Sequence, residues 1–216
     1  PPPTTSLEVK KYIYLSILGR FIQPFGAEVT YLHNNWSGMK RVSVKELVDR
    51  YQKGDRDFSG LDLREIDLFD CNLQNIDLRG SDLRGAYLCY ANLSQSNLND
   101  ANLSEADLSS VSLQSAQIQN AKIHGCSFHR ASMYAADLQG TSLVECDFQV
   151  SDLRQVNFSR TQLKRINFRH ANLSQATFID SLLINCDLRR AKGLDLNRAE
   201  FDGSTILPSG YTGKNE

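Results

Sequence analysis

The stretch Ala101-Asn102-Leu103-Ser104-Glu105-Ala106-Asp107-Leu108-Ser109-Ser110 contains two copies of one five-residue unit, A-[D/N]-L-x-x. The unit consists of a small residue, then Asp or Asn, then a central apolar residue, then two mostly polar residues. Stepping by five from Phe58 to Leu188 reaches 27 consecutive apolar centres without an interruption. A repeat of this regularity decides the fold of the whole segment.

A period of five excludes both a single helix and a single straight strand. Five residues turn an α-helix through about 500°, so the centres would rotate by about 140° per repeat and form no continuous stripe. In a straight strand, side chains alternate with a period of two, and an odd spacing would put successive centres on opposite faces. Each repeat must therefore contain a turn, and the Gly, Asn, Asp, Ser and Gln residues that follow the centres suit turns.

The tandem A-[D/N]-L-x-x units from residue 56 to about residue 192 resemble the pentapeptide-repeat family. The resemblance implies an all-β fold, a right-handed quadrilateral parallel β-solenoid with four repeats in each coil. The 27 centres would then build about seven coils, a rod about 32 Å long at the usual strand spacing. Residues 20 apart in the sequence would be neighbours on adjacent coils.

The non-repeat segment 1–55 is predicted to cap the first coil, whose apolar core and strand edges would otherwise be exposed. A capping-box pattern at Ser43-Val44-Lys45-Glu46 and apolar residues at helical spacing predict a small helix over residues 44–53. Further upstream, residues 7–22 could form an amphipathic helix that Pro24 ends. Residues 28–32 fit a short strand or an irregular segment.

At the other end, residues 193–216 are predicted to form a distorted last coil and a flexible tail. Gly193 stands where a centre is expected, and Leu196, Phe201 and Ile206 restart the five-residue spacing in a shifted register. The tail is expected to begin at Pro208.

The composition is that of a globular protein, with 216 residues, 41% of them hydrophobic and 23% charged. The formal net charge of −1 gives no overall field to steer the chain onto DNA, RNA or a membrane, so no direct nucleic-acid partner is expected. The longest apolar stretch, Tyr12 to Phe25, is interrupted by Arg20 and Pro24 and is shorter than the roughly 20 residues that span a bilayer. We therefore predict no transmembrane span, and we interpret this stretch as part of the mature chain, not as a cleaved signal.

The sequence lacks the motifs of catalysis and cofactor binding. It contains no Walker lysine motif, no G-x-G-x-x-G and no H-E-x-x-H. His124 and His129 fall at outward positions of neighbouring repeats, and we interpret them as surface histidines and not as metal ligands. A solenoid filled by Leu, Phe and Ala offers no obvious pocket, so the sequence predicts a non-enzymatic protein without cofactor or metal.

Four of the five cysteines, Cys71, Cys126, Cys146 and Cys186, occupy the small-residue position of the unit. A free thiol fits such a position well, and an odd number of cysteines without a C-x-x-C pair favours a reducing compartment. We therefore predict a cytoplasmic protein with buried thiols. Cys126 and Cys146 should stack on adjacent coils, so a disulfide between them stays an alternative.

The charge is unevenly distributed along the rod. Residues 55–107 carry 4 basic and 11 acidic side chains, whereas residues 150–192 carry 8 basic and 3 acidic ones. Grouping positions by their remainder after division by 20 places a set of basic residues on one side near the C-terminal end. We take as candidate partner-binding residues His129, Arg130, Arg169, His170, Arg189 and Arg190. Stacked like charges are unfavourable unless something offsets them, and an acidic partner would do so. A solvated surface with local compensation from Asp147, Asn167 and Asp187 is the alternative.

Two groups of apolar residues are also expected to point outward. Ile179, Leu182 and Ile184 would form a small contact patch near the C-terminal end. Phe69, Tyr87, Cys89 and Tyr90 would form a second group on the acidic half.

These features favour binding over catalysis. The first hypothesis is a protein–protein interaction module or regulatory scaffold that presents charged ladders on a rigid rod, as a monomer or a weak homodimer, to a protein partner of unknown identity. The alternative follows from the family resemblance, because some members mimic DNA and bind DNA gyrase; the sign reversal of charge disfavours that alternative. The run Gly54-Asp55-Arg56-Asp57-Phe58-Ser59-Gly60, with the preceding Val-x-Glu-Leu helix, is similar to bacterial and especially cyanobacterial members.

Overall fold

The structure, a computed structural model, describes residues 38–212, and between positions 57 and 192 residues that are 20 apart pair with each other. Parallel bridges run from Asp57↔Asp77 to Asn167↔Asp187. Four five-residue units therefore close one coil, and each coil lies on the next. The predicted class is confirmed: residues 38–212 form a parallel, four-sided β-solenoid of about eight turns, preceded within this range by one short helix.

We number the four sides by their centres in the first coil, with side 1 at Phe58, side 2 at Leu63, side 3 at Leu68 and side 4 at Leu73. The regular elements are β1 (Lys40–Arg41), α1 (Val44–Gln52), β2 (Leu61–Asp62), β3 (Lys122–His124), β4 (Ser142–Val144), β5 (Gln162–Lys164), β6 (Leu182–Ile184) and β7 (Glu200–Phe201). Strand β1 pairs with β2, and β3 to β7 form a five-stranded sheet along side 2. On the other sides the coils are joined by single-residue bridges.

The corner of the solenoid is made by the last residue of each unit. From Gly60 to Arg190, every fifth residue has a positive φ, and 22 of these residues are not glycine. At the corner the backbone N–H donates to a carbonyl of the next coil, as from Glu105 to His124 at 2.7 Å. The left-handed conformation is what lets the chain change direction without losing this hydrogen bond to the adjacent coil.

The Asp or Asn that precedes most of the centres has a backbone role. Its side-chain oxygen accepts a hydrogen bond from the N–H two residues later, as in Asn102 with Ser104 at 3.1 Å and Asp147 with Gln149 at 2.9 Å. Asn and Asp form this kind of turn readily, which explains their frequency at this position. These carboxylates and amides are therefore committed to holding the solenoid turn.

The core is a single column filled by the centres and the small residues before them. Every centre from Phe58 to Leu188 is at most 3% exposed. In the C-terminal half the column contains stacked phenylalanines, with ring centroids 4.6 Å apart for Phe128 and Phe148 and 5.4 Å for Phe148 and Phe168. Such offset stacks add to the stabilisation that burial already provides.

Helix α1 lies at the start of the solenoid. The Ser43 hydroxyl accepts a hydrogen bond from the Glu46 N–H at 3.1 Å, which is half of the capping box. The Glu46 carboxylate instead forms an ion pair with Lys40 at 3.0 Å. Leu47 is fully buried and joins the core of the first coils. The predictions for residues 7–22 and 28–32 concern segments outside the described residues.

The last coil departs from the 20-residue offset. Leu183 pairs with Phe201, an offset of 18, and Asp187 pairs with Ile206, an offset of 19. Phe201 packs against the core as expected, but Ile206 takes the position that precedes a centre, and Leu207 packs against the core. The prediction for Ile206 is therefore wrong by one residue. Residues 213–216 of the predicted tail are not among the described ones.

A β-branched residue at a corner provides a test of the turn. Val150 has φ 63° and is 45% exposed, so its conformation is costly and its side chain gains little from burial. We expect Val150→Asn to raise the free energy of unfolding by about 1 kcal/mol, measured by urea denaturation. Val144→Asn, in strand β4, is the matched control and should give no gain, because β-branched residues favour strands. Equal effects of the two substitutions would contradict the interpretation of the corner.

Candidate protein-binding side

The six predicted basic residues all lie on side 3. His129, Arg169 and Arg189 directly follow the buried centres of that side, and Arg130, His170 and Arg190 form its corner column in the fourth, sixth and seventh coils. Arg169 and Arg189 lie on adjacent coils, as do His170 and Arg190, since the His170 N–H donates to the Arg189 carbonyl at 3.1 Å. The sequence register therefore placed these residues together as the structure does.

The six residues are not equally available to a partner. Arg189 forms a bidentate pair with Asp187, with Nε 2.9 Å from Oδ1 and Nη2 2.6 Å from Oδ2. Burial tends to raise the pKa of Asp187, but hydrogen bonds from Arg189 and the nearby charge of Arg169 hold it below its usual value. His129 lies 3.9 Å from the Asp147 carboxylate. The predicted compensation by Asp147 and Asp187 is therefore present for part of this side.

The corner column is different. Arg130, His170 and Arg190 are exposed, and within residues 38–212 their side chains form no ion pair and no side-chain hydrogen bond. Val150 interrupts the column between Arg130 and His170. The Nε of Arg169 is buried without a hydrogen-bond partner among the described residues. Uncompensated positive charge is thus concentrated at the C-terminal end of side 3.

The predicted apolar patch of Ile179, Leu182 and Ile184 lies on sides 1 and 2 and not on side 3. Ile179 follows a centre of side 1, whereas Leu182 and Ile184 flank the buried Leu183 in strand β6 on side 2. All three are half-buried. The structure therefore does not bring this patch onto the side that carries the six basic residues.

The second apolar group shares side 3 with the basic residues. The rings of Phe69 and Tyr87 stack with centroids 6.1 Å apart, and Tyr90 meets Phe69 edge-on at 5.6 Å. Cys89, expected to point outward, is only 5% exposed beside these rings. Burial is the main cause that raises the pKa of the Cys89 thiol to about 12. The 20-residue period of the sequence would have predicted that this group lies on side 3.

Three of the 11 acidic residues between positions 55 and 107 are paired locally through the pattern Asp-Leu-Arg. Three such pairs have N–O distances of 2.6 to 2.7 Å: Asp62 with Arg64, Asp77 with Arg79, and Asp82 with Arg84. On side 3, the corresponding partner position is occupied by Phe69, Cys89 or Ser109 instead of Arg. The carboxylates of side 3 in this half therefore have no arginine of their own repeat.

Little in the described residues suggests chemistry. No group of three or more His, Cys, Asp or Glu within residues 38–212 is placed to hold a metal ion. An open groove of about 450 Å³ between α1 and the first coils is lined by Val48, Tyr51, Gln52, Arg56, Cys71, Asn72 and Leu73. All five cysteines are unpaired thiols. In the same part of the chain, no helix has the length and hydrophobicity needed to cross a membrane.

Comparisons with known proteins agree with this architecture. Models of pentapeptide repeats match residues 56–85, 66–104 and 91–130, and a model of a pentapeptide repeat region matches residues 121–207. No match was found among curated protein sequences.

Solved structures of pentapeptide repeat proteins are also similar. HetL, involved in heterocyst differentiation regulation in the cyanobacterium Nostoc sp. strain PCC 7120, is 24% identical over 80% of this chain and 100% of HetL, with a TM-score of 0.35. Trypsin-treated QnrB1, a plasmid-mediated fluoroquinolone resistance protein, is 20% identical over 71% of this chain and 87% of its own, with a TM-score of 0.39. A protein of the Arabidopsis thaliana thylakoid lumen is 26% identical over 53% of this chain and 72% of its own, with a TM-score of 0.22.

The Asp-Leu-Arg pairs generate a prediction about acid stability. Hydrogen bonds from Arg64 lower the pKa of Asp62 to about 2. This pKa is lower than the pKa of an aspartate in the unfolded chain, which is about 4. The pair therefore stabilises the fold above pH 4, and this stabilisation is lost as the pH falls toward 2. Arg64→Gln should therefore lower the free energy of unfolding at pH 6 but not at pH 2.

Urea denaturation at a series of pH values measures this difference. The matched control is Arg160→Gln, since Arg160 forms no ion pair within residues 38–212. Its effect should not change between pH 6 and pH 2. An Arg64→Gln effect that persists at pH 2 would show that the arginine acts through packing instead of through its charge.

Proposed function

The chain belongs to the pentapeptide-repeat family, and from this premise we propose that it is a non-enzymatic protein–protein interaction module that binds through side 3. The basic C-terminal end of side 3 would contact an acidic surface of another protein. The observation that carries the proposal is the corner column of Arg130, His170 and Arg190, which is exposed and without acidic partners in the described part of the chain.

The stiffness of the solenoid supports this use. Each corner N–H of this column donates to the carbonyl of the residue before the corner of the next coil, as from His170 to Arg189 at 3.1 Å. The corner side chains therefore project at fixed intervals of about one strand spacing. A surface held in this way loses little conformational entropy when it binds. Complementary charge on the partner would speed association and select against basic surfaces.

The alternative hypothesis, a DNA-mimicking binder of DNA gyrase, has less support. A mimic of DNA needs carboxylates that are free to face the partner along the rod. Here the Asp and Asn side chains accept hydrogen bonds from their own turns, and several carboxylates also bind the arginine of the same repeat. The basic C-terminal end of side 3 has the sign opposite to that of DNA.

We propose the cytoplasm as the place of action. The support is that all five cysteines are unpaired and four of them are buried, as expected for a protein in a reducing compartment. Cys126 and Cys146 each donate from sulfur to a backbone carbonyl, Cys126 to Leu103 at 2.9 Å and Cys146 to Ile123 at 3.6 Å. These thiols satisfy their hydrogen bonding without a disulfide.

The experiment that tests the proposal is an affinity capture from the native cytoplasm with wild-type protein and the variant His170→Glu/Arg190→Glu. Both substitutions lie at exposed corners, so the fold should be preserved, and we expect at least one captured protein to be lost selectively. The variant Gln95→Glu/Gln155→Glu/Gln175→Glu is the matched control, because it changes the net charge by the same −3 at corner positions of side 4. If the side 3 variant retains every protein that the wild type captures, the basic end is not the binding site.

A further inference from the structure

Side 3 carries a second charged surface at its N-terminal end. We call it the acidic aromatic patch and define it as Asp67, Phe69, Asp70, Tyr87 and Tyr90. Phe69 is 40% exposed and Tyr90 is 60% exposed. Exposed aromatic side chains that contact one another are typical of binding surfaces, because they bury a large area when a partner arrives.

The charge of this patch is negative. Asp67 lies next to Tyr87 in the bridge ladder that continues to Asp107, so a carboxylate flanks Tyr87 on either side. Asp70 occupies the corner one coil before Tyr90. Within residues 38–212, none of Asp67, Asp70 and Asp107 forms an ion pair. The patch therefore combines the exposed ring of Tyr90 with negative charge that no ion pair among these residues neutralises, which suits arginine, lysine or protonated histidine.

The complementary surface lies on the same side of the same molecule. We call it the basic end and define it as Arg169, His170, Arg189 and Arg190. Tyr90 and His170 occupy the same corner column and are 80 residues apart, which is four coils, or about 19 Å at the usual strand spacing. Side 3 thus changes from acidic and aromatic to basic along the axis.

A surface with this polarity is complementary to itself when one copy is turned end to end. In an antiparallel pair, the acidic aromatic patch of each copy meets the basic end of the other, so every favourable contact occurs twice. This is the isologous arrangement of a two-fold dimer. From this complementarity we propose that side 3 pairs with side 3 of a second copy of this chain in antiparallel orientation.

The residues in the middle of side 3 limit the strength of the dimer. Arg130 lies near the midpoint, so a two-fold axis there brings two copies of it close together, with Asp107 and Asp147 one coil away on either side. Side 3 is one side of a solenoid about 30 Å long, so the area it can bury is smaller than that of a standard interface. We therefore expect a salt-sensitive dimer with a Kd of about 10 μM or weaker.

The inference rests on the proposed function in that both use side 3, and it adds that a second copy covers the basic end when no other partner does. A protein partner and a second copy would then compete. The two statements are separable, because the acidic aromatic patch is needed only for self-pairing.

Two variants of the full chain, with opposite changes of charge, test the proposed dimer. Asp67→Asn/Asp70→Lys changes the net charge by +3 and makes both ends of side 3 basic or neutral, while the Asn still accepts the hydrogen bond from the Phe69 N–H. His170→Glu/Arg190→Glu changes the net charge by −3 and brings the four residues of the basic end from +3 to 0, so that neither end of side 3 is basic. Sedimentation velocity at about 100 μM and low salt should show a dimer for wild type and at least tenfold weaker association for each variant alone.

The decisive measurement is a 1:1 mixture of these two variants. Because the charges of the two variants now complement each other, the mixture should form the dimer that neither variant forms alone. High salt should dissociate this mixed dimer. Tyr90→Asn, which suits a left-handed corner, should weaken the wild-type dimer without reducing stability. The variant Gln95→Glu/Gln155→Glu/Gln175→Glu should leave the dimer intact.

Three results would overturn the proposal: a wild-type chain that stays monomeric, single variants that pair as well as wild type, or a mixture that stays monomeric. The proposed function is judged separately. If Asp67→Asn/Asp70→Lys retains the captured cytoplasmic protein but no longer self-associates, both statements hold. If the acidic variant retains that protein and the mixture still pairs, the proposed function fails and the self-pairing stands.

Discussion

The left-handed conformation of every fifth residue is the constraint on which the rest of the structure depends. A left-handed residue costs energy unless it is glycine, and here 22 non-glycine residues adopt it. The compensation comes from the hydrogen bonds to the coil 20 residues away and from the burial of one centre per turn. A single unit would not hold this conformation, so the corners and the stacking of coils stabilise each other.

The same constraint determines what the charged residues can do. Because many turns use an Asp or Asn before the centre to accept a backbone N–H, much of the acidic charge is structural. An arginine two residues later often forms an ion pair with the same carboxylate and neutralises its charge. Charge remains free chiefly where the residue after the centre is not arginine or where the corner itself is charged. Side 3 meets both conditions, the first in its N-terminal coils and the second in its C-terminal coils.

The core and the ends add a further asymmetry. Leucine fills most of the N-terminal coils, whereas stacked phenylalanines fill side 3 from Phe128 to Phe168 behind the basic residues. Phe168, at the end of this stack, lies directly before Arg169 of the basic end, and the acidic aromatic patch has its own aromatic contacts on the surface. Where the regular pairing ends, only glycine fits at position 193, because a Cβ there would lie 2.5 Å from the Ser174 Cα. After that residue the offset falls from 20 to 18 and the last coil closes in a new register.

The sequence by itself determined the turn in every unit, the 27 buried centres and, through arithmetic with a period of 20, the side on which each basic residue lies. A strict repeat makes the environment of each position predictable, because identical neighbours surround identical residues. Tertiary structure alone decided which charges are already paired, that Cys89 is buried, and that Ile206 is displaced by one residue. These features depend on side-chain conformation and on a local change of offset, and a side chain's partner on the next coil is set by packing, which the five-residue pattern does not encode.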